Sequence, residues 1–542
     1  MLWAAVGVLV VAGLLPLASV LGGTFVVDGH VTLAFYRTVL ATPHQRALLG
    51  RSVTLAGSTA LAATLVGLPL GLLFARTDLP LRRTLAALSA IPLVVPPYVM
   101  AMSWFHLVGR GSWLAAHVGP AAARASSSWL FSSPGAVLVL TTTFLPVVTL
   151  LTMAFSRTVD PDLEDAARLV TDGRRVVWGV TLPLIMPGVL LGAALVFLLS
   201  LGEFGVPMFL RYDVFAVESF TRFAAFYDPR AATAAAVPLV FVAFVAVGLE
   251  RVFLRERTYR FRPAVREAPA PACPLGRLRG AVFGAVALVL FVMVALPLLV
   301  LLVASRSPHT YVDALARSGD ALLRSVGLAA AGATALTLVG FLTGYLIQER
   351  ALGVWRSVDT LTVLLFALPG TVLGIGLVTV WNRPATAFVY ATPLIIVLGY
   401  VARYAVIGSR ATVSALAAIP ASMDEAARLA GAGWLRRITG ITVPLAARGL
   451  LVVWVLSFLF CFRDLGITMM VYPPGGDTLP VRTFTLMANG SPPLIASLSV
   501  IMVAVGLLPL GLAGLLLRRG GRGGVTRPLP ACSGGSPGER PT

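Results

Sequence analysis

The sequence contains no lysine. All 42 basic residues are arginine, against 23 acidic residues. Without lysine there is no P-loop lysine, which excludes ATP hydrolysis at a Walker A site. There is no Schiff-base lysine either, which excludes pyridoxal-phosphate and retinal chemistry. Cysteine is scarce. Cys273, Cys461 and Cys532 lie far apart with no C-x-x-C pair, so neither a disulfide framework nor a zinc site is indicated. The five histidines (His30, His44, His106, His117 and His309) include no i, i+4 pair that would hold a metal on one helix face. Charge of either sign is sparse. Charged residues make up 12% of the chain, about half the share of an average soluble domain.

What is abundant is apolar surface. Of the 542 residues 58% are hydrophobic, and the mean hydropathy is +0.89. A water-soluble fold of this composition would have too little polar surface to cover itself, so the chain is read as membrane-embedded. The formal net charge of +19 would suit nucleic acid. Arginine-rich loops on the cytoplasmic face account for the same number, so no nucleic-acid partner is expected.

A spanning helix needs about 20 apolar residues. Twelve stretches qualify, at roughly 3–22, 52–75, 85–108, 130–154, 184–202, 232–250, 280–304, 323–347, 359–381, 388–408, 449–470 and 494–517. The first lacks the charged n-region and the A-x-A cleavage site of a signal peptide, and is read as a helix. Twelve spans place both termini on one side. If that side is cytoplasmic, 28 of the 42 arginines lie inside, in loops at 76–83, 157–175, 251–279, 350–356 and 403–448 and in the tail. The bias favours cytoplasmic N- and C-termini. Buried prolines at Pro92, Pro96, Pro97 and Pro146 imply kinked spans.

The expected fold is an all-α polytopic membrane protein with two parallel six-helix repeats. The first repeat is 1–254, with a loop at 160–183. A linker at 255–279, rich in Arg, Pro and Ala, follows. The second repeat is 280–517, with a loop at 420–444. The tail, 518–542, is Gly/Pro/Ser-rich and expected to be disordered. The repeats carry matching signposts. EDAARLVTDG at 164–173 matches DEAARLAGAG at 424–433, offset by 260. VTLP at 180–183 matches ITVP at 441–444, offset by 261. Glu203-Phe204-Gly205 matches Asp464-Leu465-Gly466, again at 261. An even number of spans per half gives both halves the same orientation, related by a pseudo-twofold along the membrane normal.

Each repeated block sits in a cytoplasmic loop. A short helix through Ala430, a break at Gly431 and Gly433, and a basic helix running to Pro444 form a knob. Asp424 and Glu425 favour the start of its first helix through the dipole. Arg436 and Arg437 are placed to meet lipid phosphate. A single copy would also fit an ordinary amphipathic loop helix; two copies in equivalent loops do not.

The segment 424–444 resembles the EAA motif of permease subunits in ATP-binding-cassette importers, E-A-A, three residues, G, nine residues, I-x-L-P. Glu425, Ala426, Ala427, Gly431, Ile441 and Pro444 match it, with Val443 in the leucine place. In the first copy Glu164 precedes Asp165, which takes the glutamate place before Ala166 and Ala167. Thr171 takes the glycine place, with Gly173 two residues on. The resemblance implies the type I importer permease fold and a bacterial inner-membrane location. It implies coupling helices that insert into a dimeric ATPase, and delivery of substrate by an extracytoplasmic binding protein. ATP and Mg would then be bound by the partner, and this chain would hold no cofactor and catalyse nothing.

The fused two-half form is similar to the ferric-iron permeases, most clearly in FARTDLPLRRTL (74–85), IPLVVPPYVMAMSW (91–104), LGEFGVP (201–207), ESFTRFAAFYD (218–228) and YPPGGDTLPVRTFTLMANG (472–490). Permeases for thiamine, polyamines, phosphonates and sulfate share the architecture and stay open as alternatives. Glu203 and Asp464 stand at equivalent ends of spans 5 and 11, where the pseudo-twofold would bring them together. Two carboxylates there would suit a hard trivalent cation; with Arg463 beside Asp464, simple ion pairing fits equally. No metal ligands are firmly assigned. Mixed charge at Arg211, Asp213, Glu218, Arg222, Asp228, Arg230, Asp477 and Arg482 fits either docking of the binding protein or a solvated loop surface. A secondary transporter, from another class, would require buried ionisable residues in mid-span. Few are expected, with Arg403 and Arg448 read as lying near cytoplasmic helix ends. A membrane enzyme would need a clustered catalytic constellation, and the sequence contains none.

Overall fold

The computed structural model describes residues 1–27, 30–31, 37, 41–109, 117, 119–226, 229–258 and 274–522. Most of the expected linker and the tail, with Cys273 and Cys532, lie outside the described residues. Among the described residues the regular structure is helical apart from a two-residue antiparallel pairing of Val26–Val27 with His30–Val31.

The main helices of the first half are α1 (Leu2–Phe25), α2 (Pro43–Arg76), α3 (Arg82–Leu93), α4 (Pro97–Val108), α5 (Ser133–Ser156), α6 (Pro161–Arg168), α7 (Gly173–Leu201) and α8 (Pro229–Thr258). The second repeats the order as α9 (Gly276–Ala304), α10 (Pro308–Glu349), α11 (Trp355–Ala367), α12 (Gly370–Trp381), α13 (Leu394–Ala417), α14 (Ala421–Leu429), α15 (Trp434–Phe462) and α16 (Pro492–Arg522). Ten helices among the described residues are long and apolar enough to cross a membrane. The expected spans at 85–108 and 359–381 are instead bent pairs. α3 and α4 meet at 101°, α11 and α12 at 109°. Pro96 and Pro369 stand at the two breaks, each as the N-cap of the helix that follows. A proline has no N–H to donate, and the residue before it avoids helical angles, so the break falls there.

Four other prolines are absorbed without a break. π-helical turns at Val10–Leu14, Val177–Thr181, Phe291–Ala295 and Ile438–Thr442 each end two residues before Pro16, Pro183, Pro297 and Pro444. The wider turn relieves the clash between the ring and the carbonyl four residues back. The knob helix expected to stop at Pro444 therefore runs on as α15.

Within each half the long helices approach closely at glycines four apart. A Cβ on Gly67 or Gly71 of α2 would come within 2.9 Å of Val148 or 2.6 Å of Thr152 on α5. A Cβ on Gly340 or Gly344 of α10 would come within 2.6 Å of Gly408 or 2.7 Å of Ser409 on α13. This is small-residue packing, which lets backbones touch where the hydrophobic effect provides no drive. Large exposed side chains such as Leu61, Leu65, Phe241 and Leu338 face outward, as a lipid-facing surface requires.

The first helix of each half crosses to the other. α1 packs against α12, with the Pro16 carbonyl 2.7 Å from where a Cβ on Gly376 would stand. α9 packs against α4, and Asp78, just after α2, accepts a hydrogen bond from the Leu275 N–H at 2.8 Å. The exchange ties the halves together along both sides of the pseudo-twofold.

Candidate functional sites: paired knobs and a polar centre

The knobs lie at one end of the bundle, where α5 leads into α6 and α13 into α14. α14 ends in a Schellman turn. The Gly431 N–H bonds to the Arg428 carbonyl and the Ala432 N–H to the Ala427 carbonyl, both at 3.0 Å, with Gly431 at φ +76°. α6 ends without a left-handed residue; the N–H groups of Val170 and Thr171 both bond to the Ala167 carbonyl. Asp172 then caps the next helix by accepting from the Arg175 N–H at 3.1 Å. Gly173 opens that helix, in the place of Trp434. The one-residue difference between the repeats thus falls in the knob turn.

The two knobs expose equivalent surfaces. Asp165 and Ala166 are exposed, as are Glu425 and Ala426, while Ala167 and Ala427 are half-buried. Leu163 and Met423 are exposed, and Leu169 and Leu429 are 87% and 90% exposed. Bare leucines thus stand beside acidic groups at two equivalent tips.

Their anchoring differs. Glu164 on α6 is 1% exposed. It accepts a hydrogen bond from the Thr181 hydroxyl at 2.7 Å and pairs with Arg76, at the end of α2, at 3.1 Å. Arg76 also donates to the Ser156 carbonyl on α5. One buried pair therefore ties the first knob to α2, α5 and α7. Its counterpart Asp424 is only half-buried and pairs with Arg428 and Arg437 within its own knob. Arg437, expected to face lipid, is spent on that contact.

The second site lies at mid-depth. Glu203 and Asp464 line one small cavity, of about 50 Å³, together with Phe144, Arg403 and Tyr404. Phe144 is near the middle of α5, and Arg403 and Tyr404 near the middle of α13, so the cavity sits well inside the bundle. This corrects the expected place of Arg403 near a helix end, and the expectation of few buried ionisable groups. The carboxylates are not alike. Asp464 accepts from the Tyr404 hydroxyl (2.7 Å), from the N–H groups of Ile467 (3.1 Å) and Thr468 (3.0 Å), from the Thr468 hydroxyl (3.0 Å), and from Arg403 (3.4 Å). Glu203 accepts from the Gly205 N–H at 2.9 Å. Arg463 donates to the Leu93 carbonyl of α3 at 2.6 Å, across the interface of the halves. Asp464 is ion-paired, but with Arg403 of α13 rather than with the adjacent Arg463.

On the far side from the knobs, charge is largely paired. Arg482 bridges Asp477 and Asp320, both at 2.6 Å, and Arg324 joins them. The hydrogen bond to Asp477, with Asp320 adding to it, raises the Arg482 pKa further, so it stays charged. Arg222 pairs with Glu218 and Arg51 with Asp213. Asp228 and the side chain of Arg230 lie outside the described residues.

Known families match this chain twice over. The model for the binding-protein-dependent transport system inner membrane component matches residues 67–259 and again 337–520. The chain belongs to that family. The permease is similar to a putative ferric transport system permease protein of Haemophilus influenzae, 24% identical over 81% of this chain and 72% of the relative. A ferric transport system permease protein of Actinobacillus pleuropneumoniae is 23% identical over 81% of this chain and 66% of the relative. A molybdenum transport system permease protein of Mycobacterium tuberculosis is 33% identical, over 35% of this chain and 74% of its own length.

The permease is thus a multi-pass inner-membrane component of an ATP-binding-cassette importer, with the family unit present twice. Sequence reasoning missed Arg76, Arg403 and Tyr404 as site residues. Arg76 stands in the FARTDLP segment, but nothing in that segment says which residue it meets. Arg403 was legible as a lone cation within an apolar run, and its counterpart in the first repeat is Thr143.

Proposed function

We propose that this permease moves ferric iron inward, delivered by an extracytoplasmic binding protein and driven by a separate dimeric ATPase seated on α6 and α14. ATP and Mg belong to that partner, and the chain itself is non-catalytic. Asp165, Ala166, Ala167 and Gly173 on one knob, and Glu425, Ala426, Ala427 and Gly431 on the other, form the coupling surface; Glu164, grouped with them on sequence, is instead buried beneath the first knob, where it anchors the helix. The arginine bias puts the knobs and both termini in the cytoplasm. The iron reading rests on one observation: the ferric relatives match along both halves in a single chain, whereas the molybdenum relative matches a stretch the size of one half. The higher identity of that shorter match favours a second reading, oxyanion import.

The test uses the chain co-expressed with its ATPase and binding protein. Glu425→Arg is expected to abolish co-purification of the ATPase and uptake of labelled iron while membrane insertion is unchanged. Normal co-purification with Glu425→Arg would refute the docking surface. Uptake of molybdate without iron would replace the first reading by the second.

A further inference from the structure

The inward path divides into three compartments. On the far side a vestibule of about 720 Å³ opens between the halves. Phe105, Phe131, Phe209 and Phe484 line it, and Arg211 is the one ionisable group among its described lining residues. Beneath it Phe484 meets Phe204 edge-on at 5.9 Å and Tyr98 at 5.4 Å, forming an aromatic layer. Below that layer lies the polar centre, lined by Phe204, Tyr98, Glu203, Arg403, Arg463 and Asp464. A cavity of about 50 Å³ holds one or two waters, so the path is closed here.

The donors and acceptors at the centre are unequally committed. Asp464 takes five hydrogen bonds on its two oxygens, which exhausts a carboxylate's accepting capacity. Glu203 has one oxygen tied to backbone. A guanidinium carries five N–H donors. Arg403 and Arg463 each make one hydrogen bond among the described residues. The Arg403 Nε is buried without an acceptor among them, and Arg463 lies over the Phe460 ring at 4.7 Å. Among the described residues no group of three or more His, Cys, Asp or Glu gathers into a metal-ligand set. A bare ferric ion would meet Arg211, then aromatic faces, then two guanidiniums, with one carboxylate oxygen to spare.

We propose that the substrate crosses this permease as an anion, with Arg403 and Arg463 as the groups that receive its oxygens when the aromatic layer parts. The shared chemistry is a compact, oxygen-rich negative group, either ferric ion already wrapped in carboxylate oxygens or a free oxyanion. The inference rests on the importer reading above and narrows its substrate class. Opening the centre withdraws Arg463 from the Leu93 carbonyl as the halves separate, and frees its donors for the passing group.

The test measures uptake by the full chain with its ATPase and binding protein, using labelled iron supplied as ferric citrate and, separately, molybdate. Arg463→Met, and the charge-neutral pair Arg403→Met with Asp464→Asn, are expected to lower the maximal rate at least tenfold with half-saturation unchanged. Glu203→Gln is expected to raise it about twofold. Yield and thermal unfolding of the purified variants separate loss of passage from loss of fold, and Arg403→Lys, which keeps the charge, should retain part of the rate. Full rates in both arginine variants, with loss of uptake in Glu203→Gln, would overturn the anionic path. Molybdate uptake without iron would end the ferric reading, and the arginine variants would still decide the path.

Discussion

The buried pair beneath the first knob makes the sharpest prediction. Arg76→Met leaves Glu164 with the Thr181 hydroxyl and with Arg168, whose nearest nitrogen is 3.8 Å away. Removing one partner of a buried ion pair costs about 3–5 kcal/mol, because the remaining charge is left uncompensated. Arg168 is partly exposed and offers some replacement, which points to the lower end, about 3 kcal/mol. At about 1.4 kcal/mol per tenfold change, opening of α6 becomes roughly a hundredfold more frequent. Hydrogen exchange of a peptide covering 160–170 reads this directly, in the purified permease without partners. The peptide covering 421–432 should not change, because Asp424 is held within its own knob. The double variant Arg76→Met with Glu164→Gln should recover most of the protection, since no charge is then stranded. Exchange in α6 within about threefold of the unaltered protein would refute the anchoring argument, as would a double variant no better than the single.

Two further outcomes follow from the turns. Gly431→Ala forces a side chain into the left-handed region at φ +76°. It should destabilise the end of α14 by about 1–2 kcal/mol, measurable as faster exchange at 426–433, with α6 unaffected. Pro444→Ala removes the ring that the π turn at Ile438–Thr442 accommodates. If that turn then closes to regular helix, the knob rotates by about 100° relative to the span. Spin-label distances between the knob and α10 should shift, and ATPase co-purification should weaken; unchanged distances would show that packing, not Pro444, holds the π turn.

The sequence by itself determined the membrane class, the duplication and the knobs. Each follows from local signals. Runs of apolar residues must be satisfied within one helix. EAARL followed by glycine ends a short helix wherever it stands. The two halves repeat their signposts at offsets of 260 and 261 residues. The same local rules flagged Pro96 as a kink, but an isolated proline does not say whether a helix bends slightly or turns by 101°. Pro444 looks like a stop and is not one, because a π turn absorbs it.

Only the tertiary structure decided which charges meet. Arg76 and Glu164 are 88 residues apart, and Arg403 and Asp464 are 61 apart. Nothing in their spacing pairs them; the packing of α2 on α5 and of α13 on α15 does. The exchange of α1 and α9 between halves was equally invisible, since the lipid-facing and protein-facing sides of an apolar helix read alike. Burial also separated two residues that the repeat pairs as equivalents. Of the two carboxylates, Asp464 is saturated by its own neighbours while Glu203 is not, and the donors left over beside them belong to two arginines.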